Sequence, residues 1–217
     1  MECSKHIKDI FPQGQLFMNY SIIGTGKVGL SLAEFFARKG VAVKIANRHG
    51  PKAVAPLIRD LGGPLLATTL DEATDADTIF FAVPFLAFKE IGATRSDWSR
   101  KIVVDVTNAF RLPPDVQERE LQGRLSSEVN ADRVPGAKLV KAFNQLPMEA
   151  LVAPVPGAGG QRVVFVSSDH ADASQAVAAL AERLGFAPIE VGKIAEGGRL
   201  IQARAALVFQ NLVRYPM

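Results

Sequence analysis

Few residues of this chain can do chemistry, and most of them sit in one short run. Gly24-Thr25-Gly26-Lys27-Val28-Gly29 has the spacing G-x-G-x-x-G. It follows the apolar stretch Tyr20-Ser21-Ile22-Ile23 and precedes Leu32, Phe35 and Phe36 at helical intervals. A strand that turns through glycines into a helix gathers unpaired backbone N–H groups and the positive end of a helix dipole at one point. Such a point holds phosphate oxygens. The three glycines act differently. Gly24 allows the tight turn, Gly26 lets the backbone approach a pyrophosphate, and Gly29 lets the helix pack close to the strand.

A second run lies at the end of the next apolar strand, Val41–Ala46, where the sequence reads Asn47-Arg48-His49. A dinucleotide-binding unit reads the adenosine ribose at this place, and an NAD site puts a carboxylate there. Arg48 instead offers a guanidinium that can pair with a 2′-phosphate. Asn47 adds a donor, and His49 and Lys52 add positive potential. The expected cofactor is therefore NADP(H) rather than NAD(H).

Ligands of parallel α/β sheets sit outside the carboxyl ends of the strands. Three further strand ends should face the same crevice: Val83-Pro84-Phe85, Val106-Thr107-Asn108 and Ala142-Phe143-Asn144. The first offers apolar surface to a ribose and ring. The others offer amide and hydroxyl groups to a carboxamide or a substrate.

Other chemistries find little material. Cys3 is the only cysteine, so no intrachain disulfide can form, and His6, His49 and His170 have no metal-ligand spacing. No metal site is expected. Tyr20 and Tyr215 lie in the first strand and the tail, and no Tyr-Lys or His-carboxylate pair stands out, so no catalytic side chain is assigned. Hydride transfer between stacked rings depends on proximity and orientation, which makes this absence compatible with catalysis. His170 reads as an exposed turn residue. Asp71, Glu72, Asp75 and Asp77 read as a solvated acidic helix start.

The elements that must position these residues belong to an ordinary globular chain. Of 217 residues, 48% are hydrophobic and 22% charged, which excludes a disordered or fibrous protein. Lys and Arg number 25 against 22 Asp and Glu, without a dense basic block, which argues against nucleic-acid binding. The longest apolar run, residues 78–88, is too short to span a bilayer, and the first residues carry no apolar signal core. A cytoplasmic protein without membrane or nucleic-acid partners is expected.

Along the chain, helices are expected at 26–39, 52–61 and 70–76, from Pro84 onward, and at 126–133 and 173–184, with a terminal helix after Gly197-Gly198. Strands are expected at 41–46, 65–69, 78–83, 101–106, 138–143, 163–167 and 188–191. Residues 1–17 lack this periodicity and are expected to be an appendage, with the domain spanning 18–217. Alternating strands and helices give a Rossmann-like, doubly wound, mostly parallel sheet with a short C-terminal helical extension.

The runs Ile22–Gly29, Ala46-Asn47-Arg48, Ala82-Val83-Pro84, Asp105–Asn108 and Val140–Asn144 resemble the NADPH:coenzyme F420 oxidoreductase family. They are also similar to the cytosolic NADPH-binding domain of the six-transmembrane metalloreductases. The resemblance implies a single Rossmann domain, often dimeric, in which NADPH passes hydride to F420, a flavin or another small redox acceptor. It places Thr25, Gly26, Lys27 and Val28 at the pyrophosphate and Asn47 and Arg48 at the 2′-phosphate. Val83, Pro84 and Ala87 would line the ribose, with Asn108 and Ala142, Phe143 and Asn144 nearer the nicotinamide. The alternatives are an imine or hydroxyacid reductase, which normally adds a long helical domain, and a non-catalytic NADPH-binding module.

Overall fold

Short strands of β-branched and aromatic residues alternate with amphipathic helices, and the pairing of the strands decides the architecture. The structure, a computed structural model, describes residues 19–109, 112–157 and 159–216. In chain order the first part runs β1 (Tyr20–Ile23), α1 (Lys27–Arg38), β2 (Val43–Ala46), α2 (Pro51–Arg59), β3 (Leu65–Ala67), α3 (Leu70–Thr74) and β4 (Thr78–Phe81). Next come α4 (Phe85–Gly92), β5 (Ile102–Asp105), α5 (Pro114–Leu121), α6 (Ser126–Asp132), β6 (Lys138–Ala142) and α7 (Met148–Val152). The remainder is β7 (Gln161–Ser168), α8 (Ala171–Arg183), β8 (Ala187–Glu190), a π-helical turn (Ile194–Gly198), α9 (Arg199–Ile201) and β9 (Val213–Arg214).

The strands form one sheet in the order β3-β2-β1-β4-β5-β6-β7-β8, with β9 added to β7. From β3 to β6 every neighbour is parallel. The order turns around between β1 and β4, which opens a crevice at their carboxyl ends. The mostly parallel Rossmann-like fold expected from the sequence is the observed one.

Alternate strand residues point to opposite faces, and both faces are covered. Ile22, Ile45, Phe80 and Val104 pack with Leu32 and Phe36 of α1 and with Val177 and Leu180 of α8. Ile23, Ile79, Phe81 and Val103 pack on the other side with Phe88 of α4 and with Trp98. This two-sided burial explains why the strands read as continuous apolar runs.

Three features depart from the sequence reading. β7 runs antiparallel to β6, because the connection through residues 143–160 holds only the short α7, and an antiparallel neighbour needs no crossover. The elements α5 and α7 form where the sequence pattern predicts none, and β9 is a strand within the tail expected to be helical. The helical part of the C-terminal extension covers only residues 194–201; turns through Arg204 and Phe209, at φ 69° and 65°, then lead into β9. The expected appendage, residues 1–17, lies outside the described residues.

Candidate functional site

The phosphate end is built from backbone. After β1, the N–H of Gly24 donates to the Ala46 carbonyl at 2.8 Å, tying the glycine loop to the end of β2. Gly24 has φ 115°, and a Cβ there would stand 2.8 Å from the Ala82 carbonyl carbon and nearer still to its oxygen. At Gly29 a Cβ would stand 2.8 Å from the Gly24 carbonyl carbon, again nearer to the oxygen. These two glycines exist for close approach within the fold. Gly26 is different: nothing lies within 4 Å of its missing Cβ, and its backbone is in the ordinary extended region. The open space faces the start of α1, a helix of 12 residues with no side chain capping its first N–H groups. That cradle fits a pyrophosphate.

Beside it, the Asn47 amide donates to the Thr25 hydroxyl at 2.8 Å, while Asn47 Oδ1 accepts the His49 N–H at 2.9 Å. Asn47 thus fixes both the glycine loop and the turn that carries Arg48. Arg48 and His49 are exposed and in contact, Nε donating to Nε2 at 3.2 Å, and Lys52 is exposed at the start of α2. Among the described residues no carboxylate forms an ion pair with Arg48. Without a carboxylate partner among the described residues, the guanidinium at the end of β2 suits a phosphate better than a bare diol. Lys27 has a different partner, Glu149 of α7, at 2.9 Å, and that hydrogen bond holds the Glu149 carboxyl below the usual range. Val28 contributes its backbone to the first turn while its side chain packs on the core.

At the other end, the Ala82 N–H donates to the Ile23 carbonyl at 2.9 Å, which keeps the Val83-Pro84 turn beside the glycine loop. Pro84 opens α4 at its exposed N-cap, with Val83 and Ala87 half-buried beside it. Asn108 and Asn144 hold each other: Asn108 Nδ2 donates to the Asn144 carbonyl at 2.9 Å, and Asn144 Nδ2 to Asn108 Oδ1 at 3.1 Å. Asn144 Nδ2 also donates to the Ile201 carbonyl at 2.6 Å. Asn144 Oδ1 is buried with no hydrogen-bond partner, an acceptor suited to an amide N–H. Ala142 and Phe143 are buried; Phe143, at φ 59°, packs its ring between Phe80 and Phe186, so only its backbone turns toward the crevice.

Sequence reasoning missed what lies under these asparagines. Asp105 and Lys141 are in-register partners on β5 and β6, fully buried, with Nζ 3.1 Å from Oδ2. Burial pushes the Lys141 ammonium down from its ordinary value, and Asp105 opposes that shift. Both stand in runs that carry the family resemblance, Asp105–Asn108 and Val140–Asn144, but in the sequence each reads only as a charged residue near the end of an apolar strand. Tyr20 supplies no acid for the crevice: it is buried edge-on to Phe36, and burial raises its hydroxyl. The acidic run also has local duties. Glu72 caps α3, Asp75 pairs with Arg95 at 2.6 Å, and Asp77 accepts the Asn19 N–H.

Two cavities flank this line. One of about 460 Å³, between the end of α1 and the loop after α7, is lined by none of the expected cofactor residues. The other, about 350 Å³, is lined by Ala109, the residue after Asn108, and by Pro114, Leu121, Ser126, Gln202 and Ala203, and likewise by none of the expected cofactor residues.

Residues 19–109 match the family model described as NADP oxidoreductase, coenzyme F420-dependent. An F420-dependent NADP reductase from Methanothermobacter thermautotrophicus is 29% identical over 218 residues, covering 92% of this chain and 91% of its own. The chain resembles the coenzyme F420-dependent NADP oxidoreductases, through the family model over residues 19–109 and through this relative. It is an NADP-dependent oxidoreductase in class. A solved structure of the hypothetical protein SMa0349 from Sinorhizobium meliloti is 41% identical, with a TM-score of 0.84 over 91% of this chain and 96% of that one. The rat metalloreductase STEAP3 is 29% identical over 80% of this chain, which spans only 34% of that protein's length. Among the described residues no helix is long and apolar enough to cross a membrane.

Proposed function

We propose that this protein exchanges hydride between NADP(H) and a small flavin-like acceptor, F420 or a flavin. The observation that carries the reading is the open cradle at Gly26 joined through Asn47 to the unpaired guanidinium of Arg48. The α1 amides bind the pyrophosphate, with Thr25 oriented by Asn47. Arg48 pairs with the 2′-phosphate, supported by Asn47, His49 and Lys52. Val83, Pro84 and Ala87 exclude water from the ribose side. Asn108 and Asn144 orient the carboxamide, and the free Asn144 Oδ1 accepts its N–H.

Bound there, NADP(H) supplies or accepts the hydride. The chain's own residues hold the geometry and move no proton, since Lys141 is sealed in the core. The 350 Å³ cavity that starts at Ala109, next in the chain to Asn108, is near the lower end of the usual ligand-pocket range and supports an acceptor entering from that side. The name of the M. thermautotrophicus relative supports F420 as that acceptor. The exposed Phe209, Leu212 and Tyr215 of the C-terminal extension support a homodimer, to be checked by sedimentation. The protein would work in the cytoplasm.

The test is anaerobic oxidation of NADPH, followed by its nicotinamide absorbance, against F420, FMN, FAD, ferric chelates and a cyclic imine. Turnover with F420 or a flavin, and faster with NADPH than NADH, is expected. Turnover with the imine alone, or tight binding without turnover, would replace this reading by a reductase of C=N bonds or by a binding module.

A further inference from the structure

We infer that Lys141, through its pair with Asp105, is a positioning residue that fixes Asn108 and Asn144 and thereby the carboxamide end of the bound cofactor. This rests on the cofactor reading above. Two opposite charges buried in a sheet are costly to desolvate, and the arrangement is stable only when their remaining donors and acceptors are used. Here most of them are used on one residue, Thr107. Asp105 Oδ1 accepts both the backbone N–H of Thr107, at 2.8 Å, and its hydroxyl, at 2.7 Å. Lys141 Nζ donates to the carbonyl of the same Thr107 as well as to Asp105 Oδ2.

Thr107 is therefore tied at its N–H, its hydroxyl and its carbonyl, and Asn108 leaves from a fixed point. Asn130 of α6 closes the set, donating to Asp105 Oδ2 at 3.1 Å and to the Thr107 hydroxyl at 3.2 Å. Its own oxygen accepts Arg133 at 3.0 Å, and Arg133 pairs with Glu120 at 2.9 Å. The fixation reaches the second asparagine from both sides. Asn144 stands three residues beyond Lys141, after the left-handed turn at Phe143, and is gripped by Asn108.

Apolar residues of similar volume would fill this space at no loss of stability in many proteins. An ion pair at the carboxyl ends of β5 and β6, bonded to the residue that launches Asn108, has a geometric role instead. Lys141 is fully buried and touches no substrate, so its effect passes through Thr107.

The test compares two ligands by titration calorimetry: NADPH, and adenosine 2′,5′-bisphosphate, which has the adenine half and lacks nicotinamide. In K141M, and in the charge-free double variant D105N/K141M, NADPH should bind about tenfold more weakly, while the bisphosphate stays within about twofold. N144A should lose NADPH affinity to a similar degree, and adding it to the double variant should cost little more, because the two act on one element. If K141M does not fold, the double variant carries the comparison. Unchanged NADPH affinity in the folded variants, or equal weakening of both ligands, overturns the inference and leaves a merely structural pair. Should the wild type bind both ligands equally, the inference also falls while the adenine-end reading stands. If it binds neither, the cofactor reading itself has failed.

Discussion

In the proposed site the two ends of the crevice solve one problem, holding a long anionic ligand still, with different materials. The phosphate end is backbone: six consecutive residues, Gly24–Gly29, place amides by the absence of side chains. The nicotinamide end is side chain: Asn108 and Asn144, 36 positions apart, meet over a buried ion pair. The first is set by local sterics and should fail locally. The second depends on strand register and should fail by loosening. Substitutions at each end can separate these cases.

The largest effects should come from the glycine loop, and they should divide sharply. Gly29→Ala drives a methyl into the Gly24 carbonyl, so it should destabilise the fold by about 3 kcal/mol or more, read as a large fall in melting temperature. Gly26→Ala meets nothing within 4 Å and needs no unusual backbone angle, so melting should be unchanged. Its methyl fills the cradle, and NADPH affinity should fall by about 100-fold, a loss of roughly 3 kcal/mol. Normal NADPH binding by Gly26→Ala would remove the pyrophosphate from this loop and break the contrast between the ends.

Next in size is Arg48→Glu. The side chain is exposed and forms no ion pair among the described residues, so stability should hardly change. Loss of a charge-assisted contact and gain of a repulsive carboxylate should weaken NADPH binding by about 10- to 100-fold and abolish its preference over NADH. Competitive titration with both nucleotides reads it directly. If the wild type already binds NADH as tightly as NADPH, the assignment of Arg48 fails.

The contrast between the ends also explains what the sequence discloses. The phosphate loop and Arg48 are legible because each rests on neighbours in the chain: a glycine spacing, an apolar strand before it, a basic residue at the next strand's end. The helix α1 even closes where Gly40, at φ 63°, allows it to. Lys141 and Asp105 become partners only when β5 and β6 align, and each alone reads as a polar residue at the end of an apolar run. Phe143 shows the same limit in reverse. Its position marks the crevice, yet the left-handed backbone turns its ring into the core, and no neighbouring residue announces that turn. The reversal of β7 belongs here too, since the length of α7 decides it and five residues leave little periodicity to read.

The smallest effect tests whether anything on the surface couples the loop to the rest. Lys27 is expected at the pyrophosphate, yet its ammonium pairs with Glu149 at 2.9 Å, with both side chains largely exposed. An exposed pair of this kind contributes about 0–1 kcal/mol and is weakened by salt. Glu149→Gln should therefore leave the melting temperature within about 1 °C, consistent with that small contribution. It should also release Lys27 toward the phosphates and tighten NADPH binding by a few-fold, about 0.5 kcal/mol, at low ionic strength. The gain should vanish in Lys27→Met and shrink as salt is raised, because it depends on one exposed charge meeting another. A gain that survives in Lys27→Met would mean that Glu149 opposes the ligand by its own charge, and the phosphate end would then be backbone alone.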